Sequence, residues 1–178
     1  MAGKRICIEN DRRLIRSLEE QDLEGLSEIR NDPLVYRYEP VFLSELQGTA
    51  DEALETFRQM DLFRDRQCIL GVFEKSDPGT LAGLAEFYDY KPSGTVISTG
   101  YRFLSKSWGR GLATSCVSAL LQYLRNQTEV KLVTAHVIPE NKASARCLEK
   151  NGFEYLLTKT EDWGYETPCT AEVHTCDL

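Results

Sequence analysis

The spacing of apolar residues divides the chain into stretches of helical and of strand-like period. Glu19 to Asn31 carries Leu23, Leu26 and Ile29 on one helical face, and Pro33 just beyond Asn31 marks a stop. Thr49 followed by Glu52 forms a capping box that opens a second helix, whose apolar positions are Ala53, Leu54, Phe57 and Leu62. A third helix spans Gly111 to Asn126. There Leu112, Cys116, Ala119, Leu120, Tyr123 and Leu124 recur at the helical period of about 3.6 residues. A fourth runs from Pro139 to Lys150 and closes on Asn151-Gly152, a C-cap signal. Strands are predicted at Arg13 to Arg16, Cys68 to Phe73, Leu81 to Tyr90, Val96 to Leu104, Lys131 to Ile138, Phe153 to Lys159 and Ala171 to Thr175. Asp77-Pro78-Gly79 reads as a turn and Pro92-Ser93-Gly94 as the link of a hairpin. The order is strand, two helices, three antiparallel strands, helix, strand, helix, two strands. It predicts a mixed α/β fold.

Composition narrows this picture. A chain of 178 residues fits one domain, residues 1–178, on a prior of about 150 residues per domain. Hydrophobic content of 42% and charged content of 28% suit a globular chain and exclude a wholly disordered or fibrous one. The net charge of −7 argues against a nucleic-acid partner, which calls for a basic footprint. It would steer a cationic substrate, although its simpler effect is solubility. No apolar run approaches the ~20 residues of a membrane span, and Met1 to Asn10 has no apolar core of a signal peptide. The 6 cysteines form no C-x-x-C pair, and with only His136 and His174 beside them they make a poor zinc pattern. No metal is expected. Reduced thiols and a cytoplasmic location are.

Candidate chemistry begins at Lys106-Ser107-Trp108-Gly109-Arg110-Gly111-Leu112-Ala113-Thr114, between a strand and a helix. Two glycines let the backbone approach a ligand, and the helix start offers unpaired N–H groups, so the turn suits an anion, typically a phosphate. It is not a P-loop, having no Gly-Lys pair, and Gly109-x-Gly111-x-x-Thr114 is an incomplete dinucleotide fingerprint. Taken alone it reads equally well as a tight turn with packing glycines. A later segment, Pro139 to Phe153, places Asn141, Ser144 and Leu148 on one helix face. Read locally, Asn141 is an N-cap and Ser144 a first-turn residue bonding the backbone.

Together the two segments resemble the GNAT superfamily of acyl-CoA N-acyltransferases. Lys106-x-x-Gly109-x-Gly111 is similar to the family's Gln/Arg-x-x-Gly-x-Gly/Ala motif, with lysine in the first place. Asn141-x-x-Ser144 with Lys150-x-Gly152-Phe153 is similar to its second half. Gly100-Tyr101 and Trp108 to Thr114 resemble the branch that acetylates N-terminal amines of ribosomal proteins, a pattern spermidine acetyltransferases largely share. The resemblance implies a mostly antiparallel sheet with one splayed parallel pair, Val96–Leu104 and Lys131–Ile138, and helices on both faces. It implies that acetyl-CoA enters the splay, with the backbone of Phe103 and Leu104 on the pantetheine arm. The N–H groups of Trp108, Gly109, Arg110, Gly111, Leu112, Ala113 and Thr114 would then hold the pyrophosphate, and Asn141 would touch the pantetheine or nearby backbone. An N–H near Phe103 would polarise the thioester carbonyl.

The implied reaction transfers acetyl to a primary amine, a protein N-terminus or a small amine such as a polyamine or amino acid. A base must deprotonate the amine and an acid must protonate the leaving thiolate. Many relatives carry a tyrosine acid where Leu148 stands here, so the resemblance points to Ser144 as the acid. Glu86, in Leu84-Ala85-Glu86-Phe87, and Glu161 are the base candidates, Glu86 with a pKa raised by partial burial. Read locally, Glu86 is a solvated strand position, Glu161 a surface acid and His136 a packed or surface strand residue. Tyr36, Tyr38 and Phe42 are candidate acceptor-pocket residues, and Glu39, Asp51 and Glu55 could attract a cation. An acyl-enzyme on Cys147 would need a neighbouring base, so direct transfer is expected. The competing reading is a non-catalytic module that holds CoA. A monomer or a homodimer fits either.

Overall fold

The computed structural model describes residues 5–38, 48–91, 95–162 and 168–178. One eight-stranded sheet runs through it, formed by β1 (Cys7–Glu9), β2 (Arg13–Ser17), β3 (Cys68–Glu74), β4 (Asp77–Tyr88), β5 (Val96–Phe103), β6 (Leu132–Val137), β7 (Glu154–Glu161) and β8 (Cys169–Asp177). The spatial order is β1-β2-β3-β4-β5-β6-β8-β7. The helices are α1 (Leu23–Asn31), α2 (Ala50–Gln59), the single turn α3 (Leu62–Asp65), α4 (Leu112–Gln127) and α5 (Lys142–Lys150). Among the described residues, no helix is long and apolar enough to cross a membrane.

Strand alternation sends side chains to two separate cores. Ala85, Phe87, Ile97, Phe103, Val133, Ala135 and Val137 pack with Leu112, Cys116, Val117, Leu120 and Leu124 of α4 and Cys147 and Leu148 of α5. On the other face Ile69, Phe73, Leu81 and Leu84 pack with Leu26 and Ile29 of α1 and Ala53, Leu54 and Phe57 of α2. The central strand β3 is therefore apolar on both sides, which is why Cys68 to Phe73 reads as an unbroken hydrophobic run.

Every strand pairing is antiparallel except β5 with β6, which are parallel and joined through α4. That ladder contains Val96↔Leu132, Ile97↔Val133 and Ser98↔Thr134 and then stops. β5 continues to Phe103 and β6 to Val137, so the two strands part and leave a gap between them. This matches the splayed pair that the resemblance implied.

Several boundaries differ from the sequence reading. β1 has three residues, too few to show a period, yet its Ile8 and the preceding Ile6 are buried. α1 starts at Leu23 because Glu19 to Asp22 form a tight 3-10 turn, where the Asp22 carboxylate accepts the Glu19 N–H (2.7 Å) and pairs with Arg16 (2.7 Å). Leu62 belongs to α3, not α2. Asp61 breaks the helix and caps the next turn by accepting the N–H groups of Phe63 and Arg64. Asp77-Pro78-Gly79 opens β4 instead of turning, because Glu74 pairs directly with Asp77 and leaves Lys75-Ser76 as a two-residue hairpin loop. The link at 92–94 lies outside the described residues.

Candidate active site

The glycine turn lies at the open end of β5. A 3-10 turn, Ser105–Ser107, follows the strand, and then Gly109 (φ +75°) and Gly111 (φ +72°) both take the left-handed conformation. Nothing lies within 4 Å of where a Cβ would stand on either residue. The glycines are thus set by backbone conformation, and the space beside them is open. Gly111 is the N-cap of α4 and supplies no side-chain cap. The Trp108 N–H, expected among the pyrophosphate donors, instead donates to the Ser105 carbonyl (3.2 Å), whereas among the described residues the N–H groups of Gly109 to Thr114 have no hydrogen-bond partner. This cradle of donors sits at the positive end of a 16-residue helix, an arrangement that suits phosphate oxygens.

The surrounding structure fixes the turn. Asp32, just past α1, accepts the Ser105 N–H (2.8 Å) and the Leu34 N–H (3.0 Å). Burial opposes its ionisation, but these N–H donors outweigh that and hold its pKa below the ordinary carboxylate value. Arg110 turns away from the cradle to Glu74 (2.7 Å), which also meets the buried Arg13 (3.6 Å). Lys106 pairs with Glu28 of α1. Asn151, after α5, donates to the Thr114 carbonyl (3.2 Å) and so ties the two motif segments together.

The gap between β5 and β6 has distinct walls. In the β4–β5 ladder Leu104 donates to Ala82 (3.1 Å), so alternation turns the main chain of Tyr101 and Phe103 away from β4 and into the gap. This corrects the expectation for Leu104: its N–H serves Ala82 and its carbonyl accepts the Ser107 N–H (2.8 Å). The Phe103 carbonyl accepts the Trp108 indole N–H (2.8 Å), leaving the Phe103 N–H as the gap-side donor.

On the α4/α5 face, the Tyr101 hydroxyl lies 3.0 Å from Ser144 Oγ and bridges β5 to α5. Asn141 caps α5 by accepting the Ser144 N–H (3.2 Å), and the Ser144 hydroxyl shares a hydrogen bond with that of Tyr101. Cys147 is buried beneath the Tyr101 and Thr114 hydroxyls, and burial pushes its thiol pKa up. Tyr101 gave no sequence signal as a partner of Ser144, because the two are 43 residues apart and meet only through the fold.

The α1/α2 face carries the charges. Glu86 is buried and lies 3.6 Å from buried Arg102; it is not the solvated strand residue of the local reading. A Cβ on Gly100, its partner in β5, would lie 2.3 Å from Glu86 Oε1, so glycine there makes room for the carboxylate. Ser98 and Thr134 close the ladder with hydroxyls 2.7 Å apart on this same face. His136 follows on β6, edge-on to Tyr88 (6.4 Å), with Nδ1 3.1 Å from Glu161 Oε2. Glu161 also pairs with Lys159 (2.7 Å) and is three-quarters or more covered, so it is not a bare surface acid.

The predicted acceptor residues do not gather. Tyr36 is buried in the α1/α2 core and Tyr38 lies under the Arg37 guanidinium (5.1 Å), while Phe42 and Glu39 lie outside the described residues. Glu55 is exposed and pairs with Arg58 (3.5 Å). Asp51 lines an open groove of about 850 Å³ together with Glu24, Glu28, Asp32, Ser105 and Lys106, beside the turn.

A parallel strand pair that parts beside a helix start, with hydroxyls on one face and charges on the other, leaves room for a phosphate-bearing ligand at the turn. Residues 12–154 match the acetyltransferase (GNAT) domain, and the chain belongs to that family: it is an acetyl-CoA-dependent acetyltransferase. It is 26% identical over 147 residues to the uncharacterized N-acetyltransferase YoaA of Bacillus subtilis (strain 168), a match covering 83% of this chain and 82% of that protein. Its fold is similar to a putative ribosomal-protein-serine acetyltransferase from Vibrio cholerae (TM-score 0.79, 18% identity, 100% of each chain). It is also similar to the spermidine N-acetyltransferase of Vibrio cholerae in complex with CoA and spermine (TM-score 0.76, 18% identity, 94% of this chain and 96% of that one).

Proposed function

We propose that this protein transfers acetyl from acetyl-CoA to a primary amine, a protein N-terminus or a small amine, by direct attack at the gap between β5 and β6. The observation that carries this reading is the cradle of N–H groups from Gly109 to Thr114, without partners among the described residues, at the mouth of that gap. These groups hold the pyrophosphate. The pantetheine arm enters the gap along Tyr101 and Phe103, with Asn141 beside it. The Phe103 N–H polarises the thioester carbonyl, where it stabilises charge that develops during attack.

Ser144 gives its proton to the sulfur as the C–S bond breaks, and the Tyr101 hydroxyl, 3.0 Å away, orients it. The acceptor approaches from the α1/α2 face, where the Glu86 carboxylate attracts its ammonium group. A spermidine N-acetyltransferase with CoA and spermine bound shares this fold, which supports an amine acceptor. Burial raises the pKa of Cys147 and outweighs the lowering by the Tyr101 and Thr114 hydroxyls and by Lys150, which supports direct transfer over an acyl-enzyme.

Thiol release from acetyl-CoA, measured across a panel of primary amines with spermidine and a serine-starting peptide included, tests the reading. Release that depends on amine and falls about 100-fold in Ser144→Ala is the expected result. Acetyl-CoA binding without release for any amine would mean a CoA-holding module instead.

A further inference from the structure

We propose that His136, held by Glu161, is the group that takes the proton from the acceptor amine. The inference rests on the transfer reading above and adds the residue that it leaves open. Four observations converge on it. The β5–β6 ladder stops at Ser98↔Thr134, so His136 is the next same-face residue of β6 and stands on the edge of the gap. Continuing that register by two residues sets His136 across from Gly100, in the row that holds Glu86. Its face is the one opposite the Tyr101–Ser144 hydroxyls, so proton acceptor and proton donor flank the gap from two sides. Of the two carboxylates read as base candidates, Glu86 is buried against Arg102 (3.6 Å) and serves there as a fixed charge, while Glu161 lies against His136 Nδ1 (3.1 Å).

The ring is built for the task. Nδ1 lies 3.1 Å from Glu161 Oε2, and among the described residues Nε2 has no hydrogen-bond partner. Glu161 is in turn placed by Lys159 (2.7 Å), and Tyr88 packs edge-on against the ring. Burial lowers the His136 pKa from its ordinary value, while Glu161 and Asp89 raise it and Lys159 lowers it. Among the described residues, the charged and titratable groups near the ring are Glu161 and Lys159 of β7, Tyr88 at the end of β4, Asp89 just past it, and Glu86 in the row across the gap; Thr134 and Val173 beside it carry no charge. A neutral imidazole at neutral pH accepts a proton, and the Glu161 carboxylate stabilises the imidazolium that forms.

The protons balance. The ammonium proton of the acceptor moves to His136 Nε2 and on to solvent. The freed lone pair forms the C–N bond at the thioester carbon. As the C–S bond breaks, Ser144 protonates the sulfur, and the second proton of the attacking nitrogen restores the Ser144 hydroxyl. Glu161 is a positioning residue.

The pH profile of kcat/KM with spermidine and the serine-starting peptide, for wild type, His136→Gln and Glu161→Gln, tests this. His136→Gln should bind acetyl-CoA as wild type does, lose about 100-fold in kcat and lose the acid limb of the profile. Glu161→Gln should keep that limb but move it to lower pH, because removing the carboxylate lowers the imidazole pKa. His136→Gln with wild-type kcat and profile overturns the proposal and leaves the transfer reading standing. Wild type that binds no acetyl-CoA, or that acetylates neither probe, overturns the reading on which the proposal rests. Imidazole NMR gives a measurement independent of turnover. The His136 midpoint should fall in Glu161→Gln, and an unmoved midpoint contradicts the pairing.

Discussion

Gly100 has no side chain because the Glu86 carboxylate occupies that space: an added Cβ would meet Oε1 at 2.3 Å and Cδ at 3.1 Å. Gly100→Ala must therefore push a buried carboxylate off Arg102. The expected outcome in urea unfolding is a loss of about 1–3 kcal/mol, the range for overpacking a buried site. The phosphate cradle lies beyond the end of β5, so acetyl-CoA should still bind. A variant as stable and active as wild type would mean that the carboxylate does not sit over Gly100. The residues whose roles sequence could suggest were those in a local pattern: Gly109 and Gly111 at a strand-to-helix turn, and Asn141 as an N-cap. Tyr101 with Ser144, and His136 with Glu161, were not legible as pairs. Their distances of 3.0 Å and 3.1 Å are set by β5, α5, β6 and β7 crossing the sheet, and no spacing along the chain encodes them.

At the scale of elements, the phosphate cradle depends on a link between α1 and β5 through Asp32. The side chain accepts N–H groups from Ser105 and Leu34, and these donors hold its pKa below the ordinary carboxylate value. The sign follows: a depressed carboxylate pKa adds stability above its unfolded value, and that stability is lost as pH falls through the folded value. Asp32→Asn is expected to cost about 1–2 kcal/mol at pH 7, the scale of a charge-assisted hydrogen bond. The difference from wild type should shrink below about pH 4. Urea unfolding at both pH values checks this, and a pH-independent gap would contradict it. The elements themselves were largely readable. The Thr49–Glu52 capping box and the α4 apolar stripe announced their helices, and both are present. Breaks were less readable where one side chain decided them, as Asp61 does by ending α2 and capping α3.

Across the whole molecule, the sheet keeps two sets of groups on opposite faces. One face carries the cradle, Tyr101 and Ser144, which the proposed transfer assigns to the donor; the other carries Glu86, His136 and Glu161, which it assigns to the acceptor. The parted parallel strands connect the two, so the acetyl group can be delivered through the sheet instead of around it. The net charge of −7 favours a cationic acceptor in the same direction. The architecture was legible as a mixed sheet from the element order, and the position of the splay followed from the resemblance. The acceptor pocket was not legible, because the aromatic segment from Tyr36 onward serves partly as core.

The central claim is that acetyl-CoA binds at the glycine turn and enters this gap. Titration of acetyl-CoA into wild type and Gly111→Glu, followed by calorimetry and thermal unfolding, tests it most directly. At about 100-fold its Kd, acetyl-CoA should stabilise wild type by about 2.7 kcal/mol. Gly111→Glu should remain folded, since no atom lies within 4 Å of the new Cβ, but its carboxylate and the strain of φ +72° should abolish binding. Equal binding by both proteins, or binding by neither, would contradict the account.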